Sequence, residues 1–255
     1  MAASMRRLAA DGATPVSQMT WETVLSDLAE EIKGPFKFTL ENNGTRTLGA
    51  SPFSGLALSI EQVGTNDGYL YYEIAPDGNG TISKPWGVEV AVGGSGGSFG
   101  SVGSYGYKVT ALNGAGETIG SREVVAVITS TSQLATLTWE TVPTATSYRV
   151  YRTAVNALGT YGATSLRATV TAPDVTYEDD GGSLSSGTPP LVNTTGGAGP
   201  TYGTAPDPGE FGNADLVIGE LEIEQQYFYW ARLVVPPGTT EAGNRRVLRL
   251  VPLEV

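Results

Sequence analysis

The chain has 255 residues with 15 Lys+Arg against 26 Asp+Glu, a formal net charge of -11, and it contains neither cysteine nor histidine. Without cysteine there are no disulfides, thiolate metal sites or cysteine nucleophiles; without histidine, Ser-His-Asp chemistry, His-ligated zinc and histidine general bases are excluded. The acidic balance argues against nucleic acid, whose binding needs clustered Lys and Arg, and 34 Gly with only 16% charged residues fits a β-rich module of extracellular or virion type.

The length suits two small domains or one large sandwich. Catalysis would have to use carboxylate pairs, Lys, Tyr or a Ser-Lys arrangement, and no cofactor or metal is expected. Residues 1–18 are small and polar without periodicity, and are expected to form an arm. Within it, Arg6 and Arg7 are followed only by Leu8-Ala9-Ala10 before Asp11, a core too short for a signal peptide; no run approaches membrane-spanning length, so membrane insertion is not expected.

From Thr20 the spacing predicts the single helix of the chain. Trp21, Leu25, Leu28 and Ile32 form one apolar stripe, Glu22 and Lys33 suit the two ends of the helix dipole, and Gly34-Pro35 ends it. The stripe has two readings: it packs on the sheet of its own domain, or it docks the protein on a partner. Trp21, Leu25, Leu28 and Ile32 are the candidate docking residues. The arm and helix together make an N-terminal region of 1–35.

From Phe36 the apolar period becomes two, as in strands. Phe36, Phe38 and Leu40 lead to Asn42-Asn43-Gly44, a hairpin-type turn, and strands follow at 56–60, 69–74 and 86–92. Asp77 and Asn79 share the Asp77-Gly78-Asn79-Gly80 turn with too few acidic ligands for a calcium loop. The run GGSGGSFGSVGS over 93–104 has linker composition, and no Gly-Lys-Ser/Thr follows to make it a phosphate loop.

Two local patterns carry a family resemblance. Tyr105 to Thr118 reads Y-x-V-x-A-x-N-x-x-G and is followed by a strand at 121–129. Leu134 to Trp139 then alternates toward a Trp, turns through Val142-Pro143-Thr144-Ala145-Thr146, and continues as Ser147-Tyr148-Arg149-Val150-Tyr151-Arg152. In this second strand Tyr148 and Val150 share one face, while Arg149, Tyr151 and Arg152 are placed mostly on the other. The first pattern resembles strand F and the F–G turn of a fibronectin type III domain, and the second resembles its strands B and C. Because the F–G pair precedes the B–C pair, the resemblance is to a circularly permuted variant covering roughly 105–190, of a kind familiar in bacteriophage virion proteins.

Pro189-Pro190 closes this module, and 191–209 reads as a second linker, rich in Gly, Pro and Thr. The last segment predicts strands at 216–223, 227–235 and 245–251. The Asn42-Asn43-Gly44-Thr45-Arg46-Thr47-Leu48 element, with Gly219-Glu220-Leu221 and an aromatic strand ending in Val-Pro-x-Gly-Thr, resembles CARDB/NEW3-type immunoglobulin-like sandwiches. The expected fold is thus all-β: two immunoglobulin-like β-sandwiches with one short N-terminal α-helix. One sandwich is built from 36–92 plus 210–255, and the fibronectin-like module is inserted into it.

The acidic candidates are Asp179-Asp180, Asp207/Glu210/Asp215 and Glu220/Glu222/Glu224. A glycosidase needs two carboxylates facing each other across a sugar. Glu220, Glu222 and Glu224 alternate with Leu221 and Ile223, so they read as one solvated strand face, and Asp179-Asp180 reads as a strand exit. Two aromatic groups, Tyr69/Tyr71/Tyr72 and Tyr227/Phe228/Tyr229/Trp230, could serve as sugar-stacking platforms, although one face of each strand must fill a core. The resemblance implies a non-enzymatic tailed-phage virion component, a homo-oligomer with other virion proteins as partners and weak contact with host-surface glycans. The alternative is a stand-alone carbohydrate-binding or adhesin module.

Overall fold

The computed structural model describes residues 3–8, 15–16, 31–44, 46–48, 50, 54, 56–63, 71–76, 81–196, 216–235 and 245–252. Among these residues the protein is all-β and carries no helix. In chain order the strands are β1 (Ala3–Leu8), β2 (Pro15–Val16), β3 (Glu31–Asn42), β4 (Leu56–Val63), β5 (Tyr71–Pro76), β6 (Glu89–Gly93), β7 (Gly103–Leu112) and β8 (Val124–Ile128), followed by β9 (Leu134–Thr138), β10 (Ser147–Arg152), β11 (Leu166–Thr171), β12 (Thr176–Asp179), β13 (Leu216–Gly219), β14 (Gln226–Val235) and β15 (Arg245–Pro252). The chain divides into two compact units: Met1–Asn79 with Gly203–Val255, and Gly80–Tyr202.

The first unit contains a sheet ordered β2-β1-β3-β14-β5 and a second ordered β13-β4-β15. Their facing residues make one core: Phe38, Leu40, Tyr229 and Ala231 from the first sheet, Leu56 and Leu58 from the second, with Leu48 and Leu221 between them. Phe38 and Tyr229 stack with ring centroids 5.3 Å apart. Asn42 holds the turn after β3. Its buried amide donates to the carbonyls of Arg46 and Leu221, its Oδ1 accepts from Gly44 N–H, and its carbonyl accepts from Glu224 N–H. Leu48 and Leu221 then exchange both backbone hydrogen bonds.

Two expectations for the N-terminal region are corrected. Ala3–Leu8, expected as part of a flexible or partner-ordered arm, is a strand paired antiparallel with β3 from Ala3↔Asn42 to Arg7↔Phe38. The last turn of the expected helix is also strand: Ile32 pairs with Val234 and Lys33 with Leu233. Gly34 and Pro35 do not stop an element there. They fall where the β3–β14 register shifts between Ala231 and Leu233, a bulge that accommodates a proline unable to donate to the ladder.

In the second unit the sheet orders are β11-β10-β7-β8 and β12-β9-β6. Alternation places Tyr105, Tyr107, Val109 and Ala111 of β7, Ala126 and Ile128 of β8, and Tyr148 and Val150 of β10 against Ala135 and Leu137 of β9. This core between two sheets is β-sandwich-like. Trp86, Val88, Phe99 and Trp139 close it, with Trp139 meeting Tyr148 edge-on at 5.3 Å. Pro143 and Thr144 take the two central positions of the turn from β9 to β10. Thr144 adopts φ 61°, Ala145 N–H donates to the Val142 carbonyl, and Val142 N–H donates to the buried Tyr148 hydroxyl.

The expected boundaries shift accordingly. Residues 81–92 belong to the second unit, where β6 pairs with β9 from Glu89↔Thr138 to Gly93↔Leu134. Residues 93–104 are not a linker. Gly97 and Phe99 N–H groups donate to the Ser132 and Thr131 carbonyls, and Phe99 is buried. A Cβ at Gly97 would collide with the Gln133 carbonyl, so glycine here allows close packing and does not signal flexibility. The described start of the second expected linker is packed too. Asn193 and Thr195 are buried, with Asn193 donating to the Ile82 carbonyl and Thr195 Oγ accepting from Ile82 N–H.

Candidate functional site

Two polar constellations pack against the four-stranded sheet of the second unit, one on each face. On the inner face, Asp179 at the end of β12 is fully buried. One carboxylate oxygen accepts from the Tyr107 hydroxyl (2.8 Å) and Arg152 Nη1 (2.7 Å), the other from Arg167 Nε (2.6 Å) and Gly181 N–H (2.9 Å). These donors match the roughly four acceptor sites of an ionised carboxyl. Arg152 also donates to the Gly182 carbonyl and lies 5.4 Å from the Phe99 ring centroid. Arg152 was expected mostly on the face of Arg149; strict alternation instead sends it inward with Tyr148 and Val150. Burial first, and the neighbouring Asp179 charge second, raise the Tyr107 hydroxyl far above the usual phenol range.

Asp180, one residue further on, is exposed and pairs with Arg167 Nη2. The Gly182 N–H bond chiefly, with Arg167 after it, holds its carboxyl below the ordinary value. The Asp179-Asp180 pair is thus a clasp between β11 and the end of β12, with Asp179 occupied on both oxygens.

On the outer face, Glu117 occupies the comparable place. Its Oε1 accepts from the Thr110 and Tyr151 hydroxyls, each at 2.6 Å, and its Oε2 accepts from Arg149 Nη1 at 2.5 Å. The backbone of Glu117 exchanges hydrogen bonds with Thr194 N–H and Oγ. The acid thus fastens both the sheet surface and the segment following the module.

Beside it lies an open groove of about 370 Å³ formed by Lys108, Ile119, Gly120, Gly159, Tyr161 and the run Thr188–Leu191. Lys108 Nζ sits 5.4 Å from the Tyr161 ring centroid. Tyr161 donates its hydroxyl to Glu123 Oε2 at 2.8 Å, and Gly159 N–H reaches the same oxygen at 2.9 Å. Glu123 therefore fixes the loop that forms one wall. Burial, with the Glu123 hydrogen bond next, raises the Tyr161 hydroxyl far above its usual value. Among the described residues Lys108 has no carboxylate within ion-pair distance.

A further surface is apolar. Val125 and Val127 of β8 are 40% and 56% exposed, opposite Gly106 and Ser104 of β7. Asn156 N–H bonds the Ser104 carbonyl, bringing the loop that carries exposed Leu158 to the same region.

The residues singled out from sequence fall elsewhere. Trp21, Leu25 and Leu28 lie outside the described residues, and Ile32 is in β3. Asp207, Glu210, Asp215, Tyr69, Asp77 and Asn79 also lie outside them. Glu220, Glu222 and Glu224 do not share one strand face: β13 ends at Gly219 with φ 74°, and Glu224 sits in a turn with φ 67°. Glu222 accepts from Thr47 Oγ at 2.6 Å. The Tyr227–Trp230 platform is corrected: Phe228, Tyr229 and Trp230 are buried and Tyr227 is half-buried against the core, so neither face offers a stacking surface. Tyr71 and Tyr72 are in β5, paired with Val234 and Leu233.

Among the described residues no group of three or more Asp or Glu is placed to hold a metal ion. Sequence reasoning missed Glu117, Lys108 and Tyr161. The available signal was weak: a lone Tyr in the glycine-flanked stretch Gly159-Thr160-Tyr161-Gly162. Comparison with protein-family models, with curated protein sequences and with solved structures finds no match.

Proposed function

We propose that this chain is a non-enzymatic structural component of a tailed-phage virion, of the tail, baseplate, fibre or head-decoration class. It assembles as a homo-oligomer with other virion proteins. Gly80–Tyr202 serves as a permuted fibronectin type III-like module, and the unit formed by the two chain ends carries attachment.

One observation carries the reading. Strand β10, which resembles strand C, pairs with β7, which resembles F, and β7 pairs with β8 in the place of G, while β9, resembling B, lies in the opposite sheet. Immunoglobulin-type sandwiches use the same C-F-G neighbourhood. Here the F–G pair comes first in the chain, which is the permuted order associated with virion modules. The exposed Val125 and Val127 face supplies an apolar surface for contact with protein partners.

The test is direct. Antibody raised against the purified chain should label gradient-purified phage particles that carry the gene, at a fixed position in negative-stain images. A chain abundant in the lysate but missing from purified particles would sink the proposal.

The groove beside Lys108 and Tyr161 favours a second reading, a carbohydrate-binding or adhesin module working alone. In that case the purified monomer binds a glycan array, and filling the groove abolishes the signal.

A further inference from the structure

We infer that the groove beside Lys108 is a binding site for a carboxylated pyranose, a sugar of the uronic-acid class. The inference rests on the glycan-contact reading and names the ligand chemistry it leaves open. Its volume of about 370 Å³ lies at the lower end of the roughly 300–1,000 Å³ range of small-molecule sites, the scale of a single sugar residue and not of a long oligomer.

Three features build the site. The first is the floor. Gly120 lies between Lys108 and Pro189: a Cβ at this glycine would stand 3.0 Å from Lys108 Cδ and 3.5 Å from Pro189 Cβ. Any side chain there fills the space that the groove leaves open. The second is rigidity. Part of the lining is the Pro189-Pro190 pair, whose φ angles are fixed by their rings, and another part is the Tyr161 loop held by Glu123. Thr188 Oγ donates to the Tyr161 carbonyl, joining the two parts. A preformed site loses little ordering entropy on binding.

The third feature is charge. In a chain of net charge -11, a Lys is expected to find a carboxylate nearby. Lys108 has none within ion-pair distance among the described residues; its ammonium rests against the Tyr161 ring. Ammonium donors facing a groove favour an anionic acceptor. Prolines, Ile119 and the Leu191 side chain at the lip offer apolar surface for the C–H face of a sugar ring. Glu123 is tied to Tyr161 and Gly159, so its charge is partly satisfied by fixed donors.

The experiment uses the full chain and two matched probes, D-galacturonic acid and D-galactose, followed by saturation-transfer NMR and by titration of Lys108-linked chemical shifts. Galacturonate should bind with a millimolar constant, and galactose at least tenfold more weakly. Raising the salt to 0.5 M should weaken the acidic sugar and leave the neutral one unchanged. Lys108→Met should remove the preference for the acid, and Gly120→Val should abolish binding of both.

Because Gly120→Val touches packed surface, its thermal unfolding is measured alongside. Lys108→Met, a change at the groove surface, keeps the test decisive if the first variant fails to fold. Equal binding of the two sugars overturns the inference, as does galacturonate binding that survives Lys108→Met or an absence of galacturonate binding. A wild-type chain that binds neutral glycans on an array but ignores galacturonate would overturn this inference alone and leave the glycan-contact reading standing.

Discussion

One buried acid packs against each face of the β11-β10-β7-β8 sheet, Asp179 from β12 of the facing sheet and Glu117 from the segment between β7 and β8, and their desolvation is solved differently. Asp179, on the inner face, is fully enclosed and is matched by two arginines, a tyrosine hydroxyl and a backbone amide. Glu117, on the outer face, has one arginine whose side chain is 37% exposed, and it relies on two hydroxyls for the rest. The deeper carboxylate needs formal counter-charges because water cannot reach it, while the shallower one manages with neutral donors and a partly hydrated partner. Both acids join strands or segments far apart in sequence and serve as fasteners.

Removing the acids should separate the two cases. Asp179→Ala leaves the guanidiniums of Arg152 and Arg167 without their buried partner, so it should destabilise the second unit by about 3–5 kcal/mol. Denaturant unfolding followed through Trp86 and Trp139, both buried in that unit, would measure it, and a loss below 1 kcal/mol would contradict the role assigned to Asp179. Glu117→Ala strands the Tyr151 and Thr110 hydroxyls but leaves Arg149 with access to water, and about 1–3 kcal/mol is expected. The order of the two effects matters more than either value.

Alkaline titration sharpens the comparison, because each acid has a tyrosine beside it. Burial, and then the adjacent carboxylate, raise both the Tyr107 and the Tyr151 hydroxyls above the usual value. A raised folded-state value means that the stabilisation is complete below the unfolded tyrosine pKa of about 10 and is lost as pH rises beyond it. By pH 11 the unfolded chain gains at most about 1.4 kcal/mol from each of Tyr107 and Tyr151, because both hydroxyls are buried and both folded-state values lie well above that pH. Melting curves between pH 8 and 11.5 should fall less steeply in Tyr107→Phe than in the wild type, and by a similar amount in Tyr151→Phe. The smallest change is expected from Arg149→Ala, about 0–1 kcal/mol and smaller still in 0.5 M salt.

Much of the strand content was legible. Wherever one face is buried and the other wet, apolar residues alternate, as at Leu134–Thr138 and Ser147–Arg152. The failures have physical causes. The spacing of Trp21, Leu25, Leu28 and Ile32 predicts a helix over 20–33, of which only 31–33 are among the described residues, and there β14, ten residues long, offers backbone partners as far as Glu31. Ile32 and Lys33 join that ladder, and the bulge opposite Arg232 absorbs Gly34-Pro35. The strand at 86–92 was anticipated, but in the wrong unit: alternation reports which face is buried and not which strand lies alongside. Glycine misled over 93–104 because the residue that frees an unfolded segment is also the one that lets a backbone approach another, as Gly97 approaches Gln133.

The candidate site was less legible still. Asp179 meets Tyr107 across 72 residues and Arg152 across 27, and the groove joins Lys108 to Tyr161 and Pro189. Such pairings leave no local spacing to detect.

What the sequence determined by itself was the excluded chemistry, the all-β character and most strand positions, because these follow from residue types and from a two-residue period. Tertiary structure alone decided which strands became neighbours, which glycines were packed, and which acids were buried with partners. Those outcomes depend on contacts between distant segments, where the entropy of closing the intervening chain is offset only when whole sheets form together.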